Sequence, residues 1–341
     1  LSAIIFSIKR ILLIPLVLPI YLVIKLRHIL FNLEILLSEK PEEIRTIAVG
    51  NLSFGGTGKT PMVQLLIQLL SSEYQIAVLS RGYGRTTKGF RIVEPEDDYQ
   101  DVGDEPLLIK QNFPDVPVAV CEDRLEGIRK LKGMYPDLNL IILDDALQHR
   151  KVHPDVSVLL TTWDKPYFSD CLFPAGTLRD LKERAKNVDV TVITKTPADA
   201  SIQRKKALQS IHSKYSGSPV FFCTFINTIA ALPHPTHQKV AVVSTIANPD
   251  QMVQSVRLLG FCVKKIYRFK DHQTIDPAKW IEILEYCMRF NLFCIVTQKE
   301  KVKLPKELYQ AYRHLIGILE IEFVIENKTE FINIIKKKLM Q

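Results

Sequence analysis

An α/β protein with a parallel sheet, a hydrophobic helix ahead of it and a second, smaller α/β unit behind it is the fold class this sequence predicts. Three observations carry that expectation. Short β-branched runs alternate with helix-like segments from residue 45 onward, the rhythm of strand–helix–strand units whose sheet is covered on both faces. A glycine-rich loop, Gly55, Gly56, Thr57, Gly58, Lys59 and Thr60, stands between the first such run and the first helix. The alternation lapses near residue 220 and then restarts, which divides the chain into residues 1–37, 38–219 and 220–341. With 341 residues and 47% apolar side chains, there is material for more than one core, and wholesale disorder is excluded.

The elements follow in order. Residues 11–24 are an uncharged apolar run with Lys9 and Arg10 before it and Lys25, Arg27 and His28 after it. The run is short for a bilayer crossing, lacks a secretory cleavage pattern, and carries Pro15 and Pro19, which are expected to interrupt a straight helix. A segment lying in one leaflet with its cations on lipid phosphates fits it; a packed core helix or a true span are the alternatives. Strands are expected at 47–49, 76–80, 118–120, 138–143, 156–160 and 190–193, with helices at 62–70, 107–111 and 124–134. Pro61 suits a first helical turn, where its missing N–H is not needed. After residue 220 come strands at 221–229, 240–243, 262–267 and 293–297, helices at 249–258 and 277–289, and an amphipathic helix at 331–341. The lysines of that last helix read as a solvated face.

Net charge is +8 with a pI near 9.0, which suits an anionic partner without selecting one. No recognition motif or basic–aromatic interleave points to nucleic acid, so none is expected as a partner. The cysteines at 121, 171, 223, 262, 287 and 294 form no C-x-x-C pair and sit mostly among apolar residues, as buried thiols of a reducing compartment do.

The chemistry starts at the loop. Its glycines let backbone N–H groups approach phosphates, Lys59 reaches the β- and γ-phosphates, and Thr60 offers a hydroxyl to Mg²⁺. ATP and Mg²⁺ are therefore the expected cofactors. Asp144 and Asp145 end the apolar strand at 138–143, where this kind of fold puts its metal-directed carboxylate. On an ideal strand they point to opposite sides, so one can serve Mg²⁺ while the other supports the loop or a substrate; capping the next helix is the plainer alternative. Gln148 and His149 lie just beyond the same edge, within reach of a substrate. Asp104 either caps a helix opened by Pro106 or reaches over the γ-phosphate to orient an attacking hydroxyl. His272 can pair with such a carboxylate if the second unit folds over the first. A guanine-reading Asn-Lys-x-Asp element is missing at its nearest counterpart, Thr194-Lys195-Thr196-Pro197, which argues against a GTP switch. A membrane-associated ATPase of the partitioning or metal-chaperone type is the competing class.

Several dispersed motifs resemble the tetraacyldisaccharide 4'-kinase family, in the same order and over nearly the whole chain. They are the hydrophobic leader, residues 49–61, SRGYGR at 80–85, GDEP at 103–106, DDALQH at 144–149, FPAGTLRD at 173–180, ANP at 247–249, DHQ at 271–273 and TQKEKVK at 297–303. The resemblance implies a P-loop domain, a smaller α/β domain and an N-terminal membrane-associating helix. It implies transfer of the ATP γ-phosphate to the 4'-hydroxyl of an acylated disaccharide 1-phosphate, at the cytoplasmic face of a bacterial inner membrane, by a monomer. Carried over by position, Asp104 is the base and His272 its partner, with Lys59 and Asp145 in the catalytic set. The loop residues Gly55, Gly56, Thr57, Gly58, Lys59 and Thr60 hold the nucleotide, and Thr60, Asp144 and Asp145 the metal. Arg81, Tyr83, Gln148, His149, Arg179 and Asp180 face the substrate. The chain departs from the family pattern at Asp180 (usually Glu), Ala146 (usually Gly), Thr245 (usually Gly) and within 297–303 (usually TEKDAVK). Ala146 is a mild change unless its backbone needs a positive φ.

Overall fold

A computed structural model describes residues 2–232, 238–245, 249–270 and 273–341. Ala247, Asn248, Asp271 and His272, expected above to belong to functional motifs, lie outside the described residues. The strands are β1 Arg45–Asn51, β2 Ile76–Ser80, β3 Arg91–Ile92, β4 Val118–Val120, β5 Leu140–Asp144, β6 Val156–Thr162, β7 Val190–Thr194, β8 Val220–Ala230, β9 Lys239–Ser244, β10 Cys262–Arg268, β11 Phe293–Thr297 and β12 Ile316–Ile325. The helices are α1 Ser2–Asn32, α2 Lys59–Leu70, α3 Tyr99–Val102, α4 Asp104–Asn112, α5 Arg124–Met134, α6 Ile202–His212, α7 Pro249–Leu258, α8 Pro277–Arg289, α9 Gln298–Lys303, α10 Lys306–Tyr312 and α11 Lys328–Leu339.

The strands among the described residues join one 12-stranded sheet in the order β10-β9-β11-β12-β8-β7-β6-β1-β5-β2-β4-β3. The sheet is mixed rather than parallel throughout: β3 runs antiparallel to β4, and β12 antiparallel to β8. Strand β8 joins the two halves. Its first residues pair with β7 in parallel, from Val220 to Phe222, and from Cys223 onward it pairs with β12. The division expected at residue 220 therefore falls at the start of a strand shared by both halves.

Alternate residues of the central strands pack on opposite faces, as a two-sided sheet demands. Ile47, Val49, Val78 and Ile142 belong to one apolar cluster with Met62, Leu66 and Leu70 of α2. Ala48, Ala77, Leu79 and Leu143 belong to a second, with Ile128 and Leu131 of α5. Helix α11, expected with the second unit, sends Phe331, Ile335 and Leu339 into the first cluster instead. Arg45 Nε donates to Leu339 O at 2.6 Å, and Lys338 Nζ lies 3.1 Å from Asp189 Oδ1. Lys336 also pairs with Glu73, so the tail lysines do more than solvate a face.

Helix α1 is continuous through Pro15 and Pro19, which were expected to interrupt a straight helix. Each proline removes one backbone hydrogen bond, but a helix this long propagates across both losses. Its stretch Pro15–Asn32, mean hydropathy 1.3, is long and apolar enough by length and composition to cross a membrane, and only 6% of it is buried. Leu18, Leu22, Val23 and Leu26 are exposed along it, while Val17, Tyr21 and Ile24 touch the core.

Candidate functional site

The site is built at the carboxyl ends of β1, β5 and β2. Parallel pairing puts Val49 beside Asp144 and Leu79 beside Leu143, so Asp144 ends level with the start of the glycine loop and next to Ser80. This is where an open α/β sheet binds ligands, because helix N-termini and loops converge there.

The loop closes at Gly58, whose φ of 91° is left-handed, and α2 begins at Lys59. A Cβ at Gly58 would also stand 2.3 Å from Cζ of Phe323. Phe323 of β12 stacks on Phe225 of β8 at 4.5 Å, so the shared strands press directly on the loop and leave room for glycine alone. Among the described residues nothing stands within 4 Å of the Cβ positions of Gly55 and Gly56, which leaves that side open to phosphates. Asn51 Nδ2 donates to Thr57 Oγ1 at 2.7 Å, and Thr194 Oγ1 donates to Thr57 O at 2.8 Å. Pro61 takes the first turn of α2, and Thr60 is buried there.

The two aspartates separate sharply. Asp144 is fully buried; Ser80 Oγ donates to its Oδ2 at 3.1 Å, and its Oδ1 has no hydrogen-bond partner among the described residues. Burial, with the neighbouring carboxylates Glu105 and Asp145, pushes its carboxyl up to about 6, against the opposing pull of Lys59. Asp145 leaves the strand with φ 47° and turns to the cations. Arg179 grips it through both guanidinium nitrogens, one at 3.0 Å from Oδ2, and Lys59 Nζ stands 3.6 Å from Oδ2. Burial raises the Asp145 carboxyl less than Arg179 and Lys59 lower it, so it lies below the usual carboxylate range. Ala146 has no positive φ; Asp145 carries it, so the alanine fits without strain.

Arg124 is buried behind this pair. It donates to Cys121 O at 2.6 Å and to Asp144 O at 2.9 Å, and burial lowers it to about 10 against the pull of Asp144 and Asp145.

Asp104 opens α4. Gly103 before it has φ 95° and packs against Gly82, so that a Cβ added there would stand 3.3 Å from Gly82 Cα. Asp104 Oδ1 accepts from Glu105 N at 2.9 Å, and Lys303 Nζ of α9 lies 2.9 Å from Oδ2 with both side chains nearly buried. Lys299 of the same helix pairs with Glu105. The fields of Glu105, Asp104 and Asp144 raise the pKa of the partly buried Lys299, against the opposing effect of its burial. Helix α9 is held by a capping box between Thr297 and Glu300, and Glu300 accepts from Thr245 N at 2.8 Å.

The expected substrate residues are less uniform. Arg179 is half-buried and bound to Asp145 and Asn51. Gln148 is turned inward, its side-chain amide donating to Asn51 O, while its backbone carbonyl accepts from Arg27 Nη2 at 2.8 Å. Asp180, expected to face substrate, is instead buried 2.8 Å from His28 Nε2 of α1, an approach off the line of a good hydrogen bond. His149 is half-buried, and burial lowers its pKa, with Arg124 adding to the shift. Arg81 and Tyr83 are exposed just past β2.

Lys303, Lys299, Asn51, Ser80 and Arg124 went unforeseen as site residues. Asn51 could have been found from its place immediately before the loop. The lysines join Asp104 and Glu105 across about two hundred residues of chain, a contact no local pattern announces.

No set of three or more His, Cys, Asp and Glu side chains among the described residues converges as a closed metal cage. The donors present do fit Mg²⁺, which usually takes one or two protein ligands and completes its shell with phosphate oxygens and water. The unpartnered buried Oδ1 of Asp144 and the buried Thr60 are such donors.

Residues 9–340 match the family described as Tetraacyldisaccharide-1-P 4'-kinase. A tetraacyldisaccharide 4'-kinase from Cytophaga hutchinsonii is 38% identical over 267 residues, covering 76% of each chain. One from Parabacteroides distasonis is 32% identical, covering 93% of this chain and 91% of its own. A crystal structure of LpxK from Aquifex aeolicus in complex with ATP superimposes with a TM-score of 0.78 at 26% identity, covering 97% of this chain and 99% of that one.

Proposed function

The chain belongs to the tetraacyldisaccharide-1-P 4'-kinase family and is an ATP-dependent kinase of lipid A biosynthesis, and from that premise we propose how its residues divide the reaction. The observation that supports the proposal is the packing of Gly103, just ahead of Asp104, on Gly82, two residues beyond the Ser80 that donates to Asp144, with Lys303 and Lys299 pairing to Asp104 and Glu105.

Backbone N–H groups of Gly55 to Thr60 cradle the nucleotide phosphates, and Lys59 neutralises charge on the transferring group. Thr60 and Asp144 are the residues that would hold Mg²⁺, which would supply positive charge against the phosphate oxygens. Asp145, already committed to Arg179 and Lys59, sets the direction of those two cations. Asp104 orients the sugar 4'-hydroxyl and takes its proton as the hydroxyl oxygen bonds to the γ-phosphorus and the bond to ADP breaks. Lys303 holds the Asp104 carboxylate in place across the two halves. Arg179, with Arg81 and Tyr83 at the open edge, meets the anionic sugar head. The reaction takes place on the cytoplasmic face of the inner membrane, with the exposed face of α1 in the lipid.

Three results are expected. Lys303→Gln should lower kcat by about tenfold, and combining it with Asp104→Asn should cost far less than the product of the two losses, because the residues act through one contact. Multiplicative losses in that double-mutant cycle would mean that Lys303 does not act through Asp104.

For Asp144, a carboxyl raised in the folded state favours folding when protonated. That contribution is complete below about pH 4 and is lost as pH rises through about 6. In metal-free protein, Asp144→Asn should therefore raise Tm by about 2–4 °C at pH 8 and by less at pH 5. Thermal melts with chelator at both pH values test this. An equal shift at the two would contradict the burial of an ionisable group there.

Replacing exposed Leu22, Val23 and Leu26 by Gln should reduce recovery with vesicles at least about tenfold, without touching the core. Flotation at equal protein concentration measures it, and undiminished recovery would remove that face from the membrane contact.

A further inference from the structure

The last turns of α1 do more than rest on the sheet. Lys25, His28 and Asn32 share one helical face, by their three- and four-residue spacing. That face meets Arg150 from beyond β5 and Arg184 and Lys186 from the turn before β7, around a cavity of about 190 Å³. At roughly 30 Å³ per water, this is room for a phosphate group with water around it.

The charges around the cavity do not balance. Lys25, Arg150, Arg184 and Lys186 line it, and the only carboxylate among the lining residues is Glu183, half exposed and 3.8 Å from Lys25. Asp180 lies behind, committed to His28. The arginines are fixed by neutral acceptors: Arg150 by His28 O at 3.2 Å and Asn32 Oδ1 at 2.8 Å, Arg184 by Leu147 O at 2.9 Å. Arg150 also stacks 4.8 Å over Phe31, with Arg27 at 5.7 Å from the same ring. Burial lowers the pKa of both Arg150 and Arg184, and neighbouring arginines lower each further while Asp180 offsets part of it. Guanidiniums crowded in this way and held ready by carbonyls are a preorganised anion site, because a bound anion relieves both the repulsion and the lost solvation.

Its position names the kind of anion. Exposed apolar residues lie on both sides of the cavity, Leu18, Leu22, Val23 and Leu26 before it and Ile29, Leu33 and Leu37 along and beyond it, with Lys25 and Arg27 set among them, as cations at the level of lipid headgroups are. We infer that this cavity binds the phosphate group of a membrane lipid, with Arg184 and Arg150 donating to its oxygens and Lys25 and Lys186 adding charge. The phosphate can belong to the substrate, as the one that is not being made, or to a phospholipid of the bilayer. The first source rests on the kinase reading and the second does not.

The test uses the full chain as wild type, as Arg184→Gln/Lys186→Gln, and as Lys25→Gln/Lys186→Gln, which leaves the Leu147 contact intact if the first variant folds poorly. One arm measures KM for the lipid substrate in neutral mixed micelles, with and without its anomeric phosphate. The other measures flotation with phosphatidylcholine vesicles, with and without phosphatidylglycerol. A rise in KM of about tenfold for the phosphorylated substrate, absent for the dephosphorylated one, assigns the site to substrate. A comparable loss of flotation confined to phosphatidylglycerol vesicles assigns it to the bilayer. Folded variants that shift neither arm overturn the inference. Wild-type protein that transfers no phosphate sinks the kinase reading and leaves the flotation arm to judge the cavity alone.

Discussion

Lys59→Ala should reduce kcat by about 10³-fold at saturating ATP, the largest loss expected from any single change in this protein. Lys59 is the cation at the N-terminus of α2, 3.6 Å from Asp145 and beside the open side of the glycine loop. A transferring phosphoryl group spreads negative charge over its oxygens, and a fixed cation already in place stabilises that charge without reorganisation. The protein should still fold, because Asp145 keeps Arg179 and the core of α2 is formed by Met62, Leu66 and Leu70. The loss should therefore fall on kcat in protein whose circular dichroism and melting are close to wild type. Near-normal turnover in folded Lys59→Ala would remove the loop from the chemistry.

Asp104→Asn should lower kcat by about 10²-fold or more, with ATP binding retained. Asparagine keeps the size and the acceptor that Glu105 N uses, but it cannot take a proton and no longer attracts Lys303 electrostatically. Losing a nearly buried ion pair also costs stability, so the rate must be measured on protein shown to be folded. Pre-steady-state phosphoryl transfer separates the outcomes. A slow chemical step with unchanged nucleotide affinity supports a base or orienting group. A normal chemical step in a less stable protein would leave Asp104 as a cap for α4, the plainer alternative that the sequence also allowed.

What could be read from the chain follows from the range of each signal. The glycine loop, the apolar strand ending at Asp144 and the Asp145 beside it are local patterns, and their strand register brings them together as expected. Strand β12 was not foreseen, although Glu320 and Glu322 alternate with apolar residues in it, because its partner β8 lies about a hundred residues earlier. Helix α11 was foreseen as a helix but not its place, since an amphipathic pattern says that one face is buried and not against what. The burial of Asp180 against His28 was hidden for the same reason: a carboxylate after an arginine reads as a polar loop until α1 is laid across it.

Transfer of radiolabelled γ-phosphate from ATP to purified tetraacyldisaccharide 1-phosphate in mixed micelles, with the labelled position mapped, tests the central claim most directly. Label is expected on the 4'-oxygen, dependent on Mg²⁺, reduced about 10³-fold in Lys59→Ala and about 10²-fold or more in Asp104→Asn. Unlabelled lipid alongside substrate-independent release of phosphate would contradict it, and would make the protein a membrane-associated ATPase instead.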